Sequence, residues 1–145
     1  MHKTIMEADF ALSFHDLYEQ GREFLSPMFR GAVERGRTVT AVAYNRTVES
    51  ITRFNRELEE IFSEYDIILT PATVGAAPEG LDTTGSPIFC TIWTLCGVPA
   101  VSVPLIKGEN GLPVGVQLVG RRQEDGRLLS AASRLLAECG LNKAQ

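Results

Sequence analysis

Asn110-Gly111 sits between two short apolar runs, and that placement leaves few folds open to the chain around it. Asn-Gly is the strongest short-range hairpin signal a sequence offers, because both residues tolerate the backbone of a tight turn. Upstream, Val101 and Val103 fall on one side of Ala100–Pro104 and Ala100 and Ser102 on the other, the two-residue period of a strand. Downstream, Val114, Val116, Leu118 and Gly120 alternate with Gly115, Gln117 and Val119. Pro113 has no N–H to give to a ladder, so it belongs at the start of this second strand. With Gly97 and Pro99 ahead of it, Thr94–Gly120 is expected to be a small-residue turn followed by an antiparallel hairpin. Gln117 is the odd residue among apolar neighbours. Buried amides are nearly always paired, so backbone groups are expected to satisfy it. The alternative is a hydrogen-bonding group in a pocket wall.

The rest of the chain reads as helices flanking this hairpin. Lys3–Gln20 predicts a helix with Ile5, Ala8, Leu12, His15 and Tyr18 or Glu19 inward, broadened by Phe10, Phe14 and Leu17 and ended by Gly21. His15 is expected to be a packed helix residue. Ser26-Pro27 opens a short helix to Gly36, serine as cap and proline at the first turn. Thr40 caps a long helix to about Ser63, with Tyr44, Val48, Ile51, Leu58 and Phe62 inward and Phe54 and Ile61 beside them. Its other face, Arg46, Glu49, Arg53, Arg56, Glu57 and Glu60, alternates in sign as a solvated face does. The apolar run Ile67–Leu69, closed by Pro71, suits a strand buried on both faces. Ala72–Pro87, rich in Gly, Pro, Thr and Ala, is a loop of unusual length. Ile88–Cys96 fits either a short helix or a strand. Gln123–Cys139 is an amphipathic helix with Leu128, Leu129, Ala132, Leu135, Leu136 and Cys139 inward, opened by Glu124 and Asp125 and capped by Gly140, with a frayed tail beyond.

At 145 residues the chain fits one ordinary domain. Eighteen acidic against fourteen basic residues leave no basic patch, which disfavours nucleic acid or an anionic membrane as partner. No apolar run approaches the roughly 20 residues that span a bilayer, and the N-terminus does not resemble a signal peptide. The three cysteines, Cys90, Cys96 and Cys139, match no zinc spacing. Cys90 and Cys96 could pair, but free buried thiols in a reducing cytoplasm are the expectation.

GVPAVSVP followed by GLPVGVQLVG, with YDIILTP upstream and a Leu/Ala-rich helix downstream, resembles the C-terminal part of amidase-signature enzymes. The resemblance covers roughly Glu7–Glu138 and is strongest over Asp66–Leu129. It implies an α/β fold, part of the amidase-signature architecture, with a few mixed strands, one antiparallel hairpin among them, covered by helices. It also implies that Ile88–Cys96 is a helix running into the Gly-Val-Pro turn. The family hydrolyses carbon–nitrogen amide bonds with a Ser–Ser–Lys triad and needs no metal or cofactor.

That chemistry demands a serine in a glycine-rich loop, where backbone N–H groups hold the oxyanion and a second serine and a neutral lysine relay the proton. This chain has no adjacent serines. In Gly85-Ser86-Pro87 the proline removes an N–H from the oxyanion position, and the first glycine of a Gly-x-Ser-x-Gly elbow is missing. Of Lys3, Lys107 and Lys143, only Lys107 follows a strand, and its turn marks it as solvated. Neither a Cys/His dyad nor a metal cluster is supported. The expectation is a C-terminal segment, residues 1–145, whose catalytic part lies outside it: no catalytic residue, no metal and no cofactor of its own. By position in the family, Phe89, Cys90 and Trp93 form a candidate substrate-pocket wall, with a packed core as the alternative for the two aromatics. The A subunits of glutamyl-tRNA amidotransferases carry an Asp-containing polar segment there. Ser86-Pro87-Ile88-Phe89 favours instead a general amidase with a less polar small-molecule amide. The expected setting is cytoplasmic, with self-association or pairing with the remaining part. The alternatives are a non-catalytic partner-binding domain and a fragment of a glutamyl-tRNA amidotransferase A subunit.

Overall fold

The computed structural model describes residues 1–139, so the cap assigned to Gly140 and the frayed tail lie outside the described residues. The described chain is organised as two units, one ending at Phe54 and the other beginning at Asn55, the boundary falling inside a long helix.

The first unit is helical. Phe14 leaves helical geometry (φ −107°, ψ 19°) and splits the expected first helix into α1 (His2–Ser13) and α2 (His15–Gly21). The inward face is also rotated from the expected one. Glu7, Ala11 and Tyr18 are buried, whereas Leu12 is 78% exposed and Leu17 and His15 face solvent. The cause is α3 (Pro27–Arg37), capped by Ser26, whose Oγ accepts from Phe29 N–H at 3.2 Å. Gly36 brings α3 so close to α1 that a Cβ there would lie 1.9 Å from the Glu7 carbonyl oxygen and 2.6 Å from Ala11 Cβ. Contact is therefore centred on Glu7 and Ala11. Arg35 Nε donates to the buried Glu7 carboxylate at 2.6 Å, and Phe10, Phe14 and Phe29 cluster with ring centroids 4.5–5.1 Å apart. His15 Nδ1 lies 3.1 Å from Arg37 Nη2 at the surface rather than in the packed interior.

α4 (Ala41–Glu64) begins where Thr40 Oγ1 accepts from Ala43 N–H. Its charged face is exposed as expected, and Leu58 and Phe62 are buried. Thr47, not Val48, is the buried residue of its first half, Val48 being 39% exposed.

The second unit holds a three-stranded sheet in the order β1–β3–β2, built from β1 (Ile68–Pro71), β2 (Ala100–Lys107) and β3 (Pro113–Val119). All its pairings are antiparallel. β2 and β3 form the hairpin. Its loop closes with Gly111 N–H donating to the Gly108 carbonyl at 2.9 Å, and Gly111 takes a positive φ of 77°. β3 is central. β1 is an edge strand, not one buried on both faces: Leu69 is 60% exposed because β1 has a neighbour on one side only and its covering helix lies over β2 and β3. That cover is α6 (Asp125–Glu138), which packs Leu128 and Ala132 against Val103 and Leu118, with Ile67, Val101, Leu105, Leu135 and Leu136 around them. Gln123 has φ 66°, so α6 starts two residues later than expected. Leu129 and Cys139 turn outward. The remaining helix, α5 (Thr91–Cys96), settles the ambiguous Ile88–Cys96 segment as helical. Gly97 ends it in left-handed geometry, with Val98 N–H on the Trp93 carbonyl and Gly97 N–H on the Thr94 carbonyl.

Candidate functional site

Alternation divides the sheet into two unlike faces. Leu69, Leu118 and Val103 point toward α6. On the other face Thr70, Gln117 and Ser102 stand in one cross-strand row, because Gln117 is directly opposite both Thr70 and Ser102. Next along is Gly115, where a Cβ would lie 2.1 Å from Ser102 Oγ and 3.0 Å from Ala72 Cβ. Only a glycine lets the serine and alanine side chains close over the strand at that point.

Gln117 is 5% exposed, and its amide is engaged. Nε2 donates to the Phe89 carbonyl at 2.9 Å and to Thr70 Oγ1 at 3.1 Å. The Cys90 thiol points at Gln117 Oε1 (3.9 Å) and at the Ala72 carbonyl (3.6 Å). Of the two sequence readings of Gln117, the satisfied amide is therefore the observed one, shared between a backbone carbonyl and a side chain.

The structure places Phe89 and Cys90 in the turn that leads into α5. There the Cys90 and Thr91 N–H groups both donate to the Pro87 carbonyl. Phe89 is half-buried and Cys90 exposed, so among the thiols only Cys96 is buried, and all three cysteines are free. Burial pushes the Cys96 thiol above its ordinary value. Trp93 lies one turn into α5, its Nε1 buried without a hydrogen-bond partner. Beside the polar row, on the same side of the sheet as Gly115, is a recess of about 310 Å³ whose lining includes Thr73, Thr84, Ser86 and Pro113. An open groove of about 510 Å³, lined by Ile67, Leu69, Leu118 and Leu135, lies on the α6 side and is separate from this row.

Sequence reasoning isolates Gln117, Phe89, Cys90 and Trp93 but misses Thr70, Ser102 and the Ala72 carbonyl. Thr70 is 47 residues from Gln117, and only the β1–β3 register brings the two together. Chemically the assembly offers hydroxyls, an amide, a thiol and backbone carbonyls. Among the described residues no group of three or more His, Cys, Asp or Glu could hold a metal ion. Ser86 is exposed in the loop, and Lys107 is exposed at the end of β2.

A family model described as Amidase matches residues 3–129. The chain belongs to the amidase family. Among curated relatives of this amidase-family chain, the A subunit of the glutamyl-tRNA(Gln) amidotransferase from Jannaschia sp. (strain CCS1) is 34% identical over 139 residues, covering 86% of this chain and 28% of the relative. Among solved structures, one described as an amidase superposes with a TM-score of 0.84 at 26% identity, covering 94% of this chain and 34% of that one. The A subunit of the glutamyl-tRNA(Gln) amidotransferase from Thermotoga maritima, at 24% identity and a TM-score of 0.54, covers 86% and 31% and shares the fold. The resemblance to amidase-signature enzymes and the α/β fold are thus borne out. The chain spans about a third of the length of these relatives. No helix among the described residues is long and apolar enough to cross a membrane.

Proposed function

We propose that this chain is the C-terminal segment of an amidase that hydrolyses carbon–nitrogen bonds of small-molecule amides. The nucleophilic serine, relay serine and lysine would come from polypeptide outside residues 1–145. The observation that carries this reading is the pairing of a family match over residues 3–129 with the lack, among the described residues, of any serine set between a base and an oxyanion-binding loop. The edge strands support it. Among the described residues β1 and β2 each pair on one side only, as expected where a larger sheet continues. In this reading Phe89, Cys90 and Trp93 line the acyl side of the pocket, and the exposed edges pair with the remaining part or with a second copy. The free thiols fit a cytoplasmic setting.

A second reading, a segment of a glutamyl-tRNA amidotransferase A subunit, draws on the names of the curated relatives. The Ser86-Pro87-Ile88-Phe89 segment, which carries no Asp, favours the general amidase.

The test is to mix the purified chain with the N-terminal two-thirds of the structurally matched amidase. Ammonia release from simple amides and fluorophosphonate adducts by intact mass are then followed. Labelling of the supplied serine and turnover, both dependent on this chain, are expected. An adduct on this chain by itself would overturn the reading, and so would a correctly folded mixture with neither labelling nor turnover.

A further inference from the structure

The turn carrying Phe89 and Cys90 has few anchors. Apart from the helix caps at Gly97 and Val98, three hydrogen bonds join residues 77–96 to the rest of the described chain. They are Gln117 Nε2 to the Phe89 carbonyl (2.9 Å), Cys90 Sγ to the Ala72 carbonyl (3.6 Å) and Cys90 Sγ to Gln117 Oε1 (3.9 Å). The two thiol contacts are long and weak, since S–H is a poor donor. The one short bond belongs to Gln117, which is nearly fully buried on the central strand and oriented by its second donor bond to Thr70. We propose that Gln117 is the positioning residue of the pocket wall, a buried amide that straps the Pro87–Trp93 segment to the sheet and sets where Phe89 and Trp93 stand. This rests on the reading of Phe89, Cys90 and Trp93 as that wall.

The physical basis is the stiffness of the two ends. β3 is held by ladders on both sides, so the Gln117 backbone cannot drift. The Ala72–Pro87 loop has neither helix nor strand of its own and does not fix the turn. A side chain bridging a rigid strand and a backbone carbonyl converts the precision of the sheet into precision of the wall, as active-site supports must. Gln117→Met keeps the length and removes both donors. Gln117→Glu keeps the shape and acceptor but, when ionised, presents an oxygen to the Phe89 carbonyl. Thr70→Val removes the orienting partner and leaves the strap bond in place.

Trp93 is the sole tryptophan, so its fluorescence reports on the wall directly. In the 145-residue chain, amide exchange across 86–96 should speed up about tenfold in both Gln117 variants through loss of the strap bond, the weak Cys90 contact to Oε1 being lost as well in Gln117→Met. Acrylamide quenching of Trp93 should at least double, by rough estimate from the same loss. Residues 100–119 should keep wild-type protection, and Thr70→Val, which keeps the strap donor, should loosen 86–96 less than either Gln117 variant. Wild-type exchange and quenching in Gln117→Met would overturn the proposal. So would equal loosening of 86–96 and 100–119, which marks a general stability defect. Should the variants fail to fold, the unmodified chain decides: a hydrogen-bond scalar coupling between Gln117 Nε2 and the Phe89 carbonyl carbon is expected, and its absence refutes the strap. These readouts need no substrate, so the strap and the amidase reading can fail separately.

Discussion

Two glycines of one helix should respond to alanine with opposite signs. Gly31 and Gly36 both lie in α3, where alanine is favoured over glycine by about 0.8–1.0 kcal/mol. At Gly31 the nearest atom to a new Cβ is Arg35 Nη1 at 3.2 Å, the far end of a flexible side chain that can move aside. Gly31→Ala should therefore stabilise the chain by up to about 1 kcal/mol. At Gly36 the nearest atom is the Glu7 carbonyl oxygen at 1.9 Å, part of the α1 backbone, with Ala11 Cβ at 2.6 Å. No rotamer relieves that overlap. Bringing the oxygen out to about 3 Å, near the closest approach of well-packed atoms, requires the helices to part by about 1 Å. Overpacking of this kind costs about 3 kcal/mol, at the upper end of its usual range. Subtracting the propensity gain of about 1 leaves Gly36→Ala destabilised by about 2 kcal/mol. At roughly 4 °C per kcal/mol for a chain of this size, the midpoint should fall by about 8 °C, while that of Gly31→Ala rises by up to about 4 °C. Far-UV circular dichroism during heating, with urea titrations to check that m is unchanged, measures both. A midpoint for Gly36→Ala at or above wild type would refute the close approach of α1 and α3.

Three further outcomes are expected. Gly115→Ala should destabilise by about 1–3 kcal/mol because its Cβ meets Ser102 Oγ, and adding Ser102→Ala should recover part of the loss. Simple additivity in urea titrations would contradict that contact. The folded state holds the Cys96 thiol above its ordinary value, so it keeps the proton longer than the unfolded chain does. The stabilisation is complete below the usual thiol value of about 8.5 and is lost as pH rises through the folded value. Urea midpoints should fall above about pH 8.5 in wild type and flatten in Cys96→Ala; an unchanged slope in the variant would count against it. Finally, with β1 and β2 at open edges and Leu69 exposed, apparent mass by light scattering should rise with concentration, whereas a monodisperse monomer at high concentration would sink this expectation.

Local chemistry made much of the fold legible in the sequence. The Asn110-Gly111 turn, Pro113 at a strand start, the Ser26-Pro27 and Thr40 caps and the charged face of α4 depend on neighbouring residues, and each appears where the chain's own pattern places it. The family was legible too, because GVPAVSVP and GLPVGVQLVG are contiguous strings. What periodicity could not supply was the choice between near-equivalent faces. α1 carries apolar residues nearly all round, and the absence of a side chain at Gly36, far along the chain, made Glu7 and Ala11 the contact face and left Leu12 in solvent. Ile67–Leu69 reads alike whether its sheet is covered on one face or two, and only the β1–β3–β2 order made it an edge. The candidate site shows the same division. Gln117 stands out in the sequence as a lone amide between valine and leucine. Its partners, Thr70 and the Phe89 carbonyl, were chosen by register and chain path, since hydrogen bonds are met in space and a sequence orders residues only along the chain.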